Sequence, residues 1–73
     1  MNPYSVMVAP HPKRKKGWLV VVEFTMDAPG YAKGTKLARR YHYKREADDC
    51  AMQAIVGDLE QCPPFYPYEE VMS

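Results

Sequence analysis

The chain has 73 residues and a mass of 8.4 kDa, with 47% hydrophobic residues, 26% charged residues and a formal net charge of +1. That length holds one hydrophobic core and excludes a two-domain, nucleotide-binding enzyme. Its apolar fraction and balanced charge argue against disorder throughout, and its longest apolar run, Trp18 to Val22, is far short of a membrane span of about 18 residues.

The first predicted strand is Tyr4 to Ala9, where Tyr4, Val6 and Val8 alternate with Ser5, Met7 and Ala9. Pro10-His11-Pro12 ends it, because proline cannot donate to a ladder. The turn from Lys13 to Gly17 is exposed by composition. A second strand follows from Trp18 to about Met26. Its face of Trp18, Val20, Val22, Phe24 and Met26 is wholly apolar, while Leu19, Val21, Glu23 and Thr25 point the other way. That pattern belongs in the middle of a sheet covered on one side.

Asp27 to Gly34 reads as a loop, marked by Pro29, Gly30 and Gly34. The third strand spans about Thr35 to Lys44. Leu37, Arg39, Tyr41 and Tyr43 share one face, and Lys36, Ala38, Arg40, His42 and Lys44 share the other. The helix runs from about Arg45 to Gln61. Ala47, Cys50, Ala51, Ala54, Ile55 and Leu59 recur at helical spacing, with Met52 and Val56 widening the stripe. Its three alanines set it close to the sheet. Pro63-Pro64 stops it. Residues 63–73 form a proline, aromatic and acidic tail that either seals one end of the core with Phe65 and Tyr66 or serves as an extended partner-binding peptide. The expected architecture is α+β: a three-stranded antiparallel sheet with one helix packed on one face (βββα), formed by residues 1–62, plus the tail.

The charges are sorted along the chain. All ten bases lie between Lys13 and Arg45, against two acids up to that point, a balance of +8 for residues 1–45; residues 46–73 carry seven acids and no base. Charge asymmetry between halves points to a polyanionic partner. Lys36, Arg40, His42 and Lys44 on the third strand make a basic face opposite the helix, and Lys13, Arg14, Lys15 and Lys16 on the turn project from the end of the same sheet. Such side chains contact phosphates first, and mid-strand Arg40 and His42 are placed to reach base edges. Glu23 shares that face and opposes phosphate unless it holds Arg40.

Chemistry other than binding finds little support. Ser5 has no base beside it, and Asp48 and Asp49 are successive on a helix, pointing about 100° apart. No glycine-rich phosphate loop is present. His11, His42, Cys50 and Cys62 are scattered singly, unlike the paired ligands of a zinc site. Cys50 and Cys62 lie about 18 Å apart along a helix, too far for a disulfide. The expectation is a non-enzymatic protein without metal, cofactor, membrane or small-molecule substrate, located in the cytoplasm because the N-terminus lacks the pattern of a secretion signal.

The order of strand, basic-glycine-aromatic turn, strand, loop, basic strand and basic-Glu-Ala helix start resembles the AP2-like arm-type DNA-binding domain of tyrosine recombinases. The segments that carry the likeness are Lys15-Lys16-Gly17-Trp18 and Lys44-Arg45-Glu46-Ala47, within residues 4–61. The resemblance implies a three-stranded sheet laid in the major groove of double-stranded DNA, in a stand-alone accessory protein of a phage or mobile element. An alternative partner follows from that context: a host nucleic-acid-handling protein, bound by a phage inhibitor of the anti-CRISPR kind. In that reading Glu46, Asp49, Glu60, Glu69 and Glu70 imitate phosphates, and Tyr31, Tyr66 and Tyr68 anchor the interface.

Overall fold

A computed structural model describes residues 2–57, 59 and 62–72. Three strands, β1 (Tyr4–Pro10), β2 (Trp18–Phe24) and β3 (Lys36–Tyr41), precede helix α1 (Lys44–Val56). A two-residue strand β4 (Tyr66–Pro67) and a short helix α2 (Tyr68–Met72) follow. The sheet is an antiparallel meander in the order β1-β2-β3-β4, so it has four strands where the sequence pattern indicates three. The fourth comes from the tail, which pairs Tyr66 with Ala38 and Pro67 with Leu37.

Alternation sets the two faces. Val6 pairs with Val22 and Val8 with Val20, and Trp18 and Val20 stand opposite Tyr41 and Arg39. These residues face α1. There Val20, Ala47, Cys50 and Ala51 form a buried cluster, with Val6, Val8, Trp18, Tyr41 and Phe65 packed around it. The small side chains of α1 allow close approach: Tyr4 reaches across to donate from its hydroxyl to the Ala54 carbonyl at 2.6 Å. Phe65 joins the core as expected of the tail, whereas Tyr66 stays exposed.

The other face is where the structure departs most from the sequence pattern. It carries Leu19 and Val21 of β2 and Ala38 of β3, and it is covered by α2. Leu19 is 2% and Ala38 0% exposed, with Tyr68, Val71 and Met72 of α2 packed on them. β2 is therefore buried on both faces, a consequence of its unbroken apolar run Trp18 to Val22.

Boundaries shift for physical reasons. β3 ends at Tyr41, His42 and Tyr43 bend the chain, and Lys44 opens α1 rather than closing the strand. The helix stops at Val56 because Gly57 caps it, donating its N–H to the Gln53 carbonyl at 2.8 Å. Met52 and Val56 do not widen the buried stripe, since both are exposed, as is Ile55. The part of the expected helix at residues 58, 60 and 61 lies outside the described residues. No described helix is long and apolar enough to cross a membrane.

Candidate nucleic-acid interface

The register of the sheet decides which bases meet. Pro10 of β1 pairs with Trp18, and Trp18 pairs with Tyr41. The Lys13–Lys16 turn, the end of β3 and the start of α1 therefore lie at one end of the sheet. Seven of the ten bases gather there: Lys13, Arg14, Lys15, Lys16, Arg40, Lys44 and Arg45, all exposed, together with exposed His42. Arg45 is a base that strand alternation does not point to; the basic-Glu-Ala helix start is the sequence signal that contains it.

The turn is held from inside by His11, the one buried polar residue among those described. Its backbone N–H donates to the Gly17 carbonyl at 2.8 Å, and its Nδ1 accepts the Lys13 N–H at 3.0 Å. With Nδ1 an acceptor, the proton sits on Nε2, which points at the Val71 carbonyl of α2 at 3.4 Å. His11 thus links the basic turn to the C-terminal helix. Gly17 is buried beside it, and an added Cβ there stands 3.1 Å from the His11 Cβ. The flanking Pro10 and Pro12 signal only a strand end, so this role is invisible in the sequence.

The four third-strand residues expected on one sheet face, Lys36, Arg40, His42 and Lys44, are not together on it. Lys36 stands at the opposite end of the sheet, across from Glu23, with its Nζ 5.5 Å from the centre of the Tyr68 ring. Lys44 is on the α1 side, 3.6 Å from Asp48 and 5.8 Å from the Trp18 ring. His42 lies beyond the strand, edge-on to Tyr43 at 4.6 Å. Arg40 alone of the four sits on the α2 side near the basic end, opposite Leu19. The open basic face of the sequence pattern is closed by α2.

Arg39 has a structural part. Its Nε donates to the Tyr41 hydroxyl at 3.0 Å and an Nη donates to the Pro64 carbonyl at 3.0 Å, tying the tail to β3. Burial pushes the Tyr41 phenol above its ordinary value of 10.0, and its hydrogen bond with Cys50 adds to this, while Arg39 works against both. Cys50 and Cys62 are free thiols.

The acidic and aromatic residues proposed as an alternative protein interface are dispersed. Glu46 and Asp49 are exposed on α1, Glu69 and Glu70 on α2 across the sheet, and Tyr31 stacks on Phe24 at 4.5 Å in the far loop. Tyr68 is half-buried against the sheet, and Glu60 lies outside the described residues. A groove of about 890 Å³, open to solvent, is at the end away from the basic turn. Tyr4, Phe24, Tyr31, Leu37 and Phe65 line it, and no base does. Among the described residues no group of three or more His, Cys, Asp or Glu side chains is placed to hold a metal ion. Compared with models of protein families, with curated proteins and with solved structures, the chain finds no match.

Proposed function

We propose that this chain is a non-enzymatic binding protein that grips double-stranded nucleic acid by its phosphate backbone, using the basic end of the sheet. The observation that carries the reading is the convergence of the Lys13–Lys16 turn with Arg40, His42 and Arg45, four exposed lysines and arginines on the turn and two more beside it. Lys44 contributes less, being paired with Asp48. The groove-filling mode that the recombinase resemblance implies needs the sheet face that α2 occupies, so the end of the sheet is the surface proposed. Contacts of this kind fix position and carry little sequence information.

The test is fluorescence anisotropy of a labelled random duplex titrated at two salt concentrations. With about six phosphate contacts, affinity falls on the order of a thousandfold between about 50 and 200 mM salt, through counterion release. Absence of binding at the lower salt overturns the reading.

A further inference from the structure

The two edges of the sheet are treated differently. The β4 edge is two residues long, and one of them is Pro67, which has no N–H to offer. The β1 edge is seven residues long and carries no charged side chain; indeed residues 1–12 contain none. Lysines, bulges or prolines in mid-strand are the usual guards of such an edge, and β1 has none of them.

The hydrogen-bond phase of β1 follows from two contacts. His11 N–H donates to the Gly17 carbonyl, and Thr25 N–H donates to the Pro3 carbonyl at 2.9 Å. Both belong to the same register as the β1–β2 ladder, so odd-numbered residues of β1 bond to β2 and even-numbered ones point away. The N–H and C=O groups of Val6 and Val8 therefore face outward, and among the described residues no neighbour takes them up. Pro10 falls on an outward position, where its missing N–H costs the ladder nothing.

A second feature lies over the same edge. Cys50 of α1 hydrogen-bonds Tyr41 on the β3 side. The buried stripe of α1 is Ala47, Cys50, Ala51 and Ala54; at 100° per residue Ile55 lies about 90° from its centre on the side away from Cys50, toward β1, whereas Met52 points about 150° away, into solvent. Met52 is 60% and Ile55 52% exposed, and Met7, on the opposite face of β1, is 58% exposed.

We infer that β1 pairs antiparallel with β1 of a second copy of this chain, about a two-fold axis at Val6, to form a continuous eight-stranded sheet. A second copy fits because the strand is uncharged and self-complementary in this register. Val6 meets Val6, Tyr4 meets Val8, and Ser5 meets Met7, so no like charges are opposed. The outward N–H and C=O groups of Val6 then bond to those of Val6 in the second copy. The same axis brings the Ile55 flanks of the two α1 helices toward each other on one face and covers both Met7 side chains on the other. The inference does not depend on nucleic-acid binding.

Light scattering after size exclusion, over a concentration series, gives a mass approaching twice 8.4 kDa. Met7→Lys places two lysines beside the axis and returns the mass to that of one chain, with an unchanged circular dichroism spectrum. Ser5 and Met7 of the two copies form a non-hydrogen-bonded pair about 4.5 Å apart at Cα, within disulfide reach. Oxidising a mixture of Ser5→Cys and Met7→Cys chains therefore yields a cross-linked dimer that neither variant forms alone. A wild-type chain that stays monomeric at several hundred micromolar overturns the inference. So does a dimer that survives Met7→Lys and gives no cross-link in the mixture.

Discussion

The burial of Leu19 separates the observed fold from the one its sequence pattern suggests, and Leu19→Ala measures the difference. The substitution removes three carbons from a side chain that is 2% exposed between Val21, Ala38 and the α2 residues Tyr68, Val71 and Met72. At about 0.8 kcal/mol per buried methylene, the transfer loss is about 2.4 kcal/mol. A cavity term adds to it, but α2 is five residues long and can settle into the space, which keeps the total near 3 kcal/mol. On a sheet face open to water the same change would cost below about 1 kcal/mol. A domain of 73 residues has roughly 4–11 kcal/mol of stability to lose, so the variant remains folded at room temperature. Urea denaturation followed by Trp18 fluorescence reads the change. With an m-value of about 1 kcal/mol/M, the midpoint drops by about 3 M. A loss under about 1 kcal/mol would refute the docking of α2 on the sheet. Non-additivity between Leu19→Ala and Val71→Ala would locate the contact, since residues in contact couple and distant ones do not.

Replacing Lys13, Arg14, Lys15 and Lys16 together with alanine reduces the steepness of salt dependence by about 0.9 per lost contact and weakens binding alike for all duplex sequences; an unchanged slope would exclude the turn from the interface. The raised Tyr41 phenol means that the folded state holds that proton more tightly than the unfolded chain. Its contribution is fully present below pH 10 and is lost as pH rises through the higher folded value, so stability declines above pH 10 and declines less in Tyr41→Phe. Melting curves taken between about pH 9 and 11 check this, and parallel declines in the two proteins would remove the assignment. Gly17→Ala sets a Cβ 3.1 Å from that of His11 and lowers stability by about 1 kcal/mol, a shift of several degrees in a thermal melt. An unshifted melt would mean that the turn does not pack on His11.

The strands and α1 are legible in the sequence because their periodicities are: Tyr4, Val6 and Val8 alternate over β1, and Ala47, Cys50, Ala51 and Ala54 repeat at helical spacing. The C-terminal arm has no such signal. A two-residue strand and a five-residue helix are shorter than any window in which period two or 3.6 can be told apart, and three prolines there suggest an extended chain. One residue run did carry the information. The unbroken apolar stretch from Trp18 to Val22 is the mark of a strand covered on both sides, and Leu19 and Val21 needed something to cover them. The charge segregation was visible, but not its geometry. Alternation along the third strand places Lys44 on the basic face, but a two-residue bend at His42 and Tyr43 carries it onto a helix.

The start of α1 bears on why bases are concentrated at this end. A helix N-terminus favours negative charge, by about 0.3–1 kcal/mol per residue, and cations placed there oppose the dipole. α1 nevertheless begins with Lys44 and Arg45, its Tyr43 N-cap supplies no side-chain hydrogen bond, and its last turn, where bases would help, has none. Glu46 in the first turn and the Lys44–Asp48 pair offset part of the cost. A helix composed for its own stability would reverse this order. Where a local choice works against the element that contains it, the compensation is sought outside the element, and function is the usual source. Here the two disfavoured bases stand at the same end as the Lys13–Lys16 turn, which the sheet register brings alongside them. The conflict in α1 and the charge on the hairpin turn are both what the proposed grip on a polyanion at that end of the sheet would ask for.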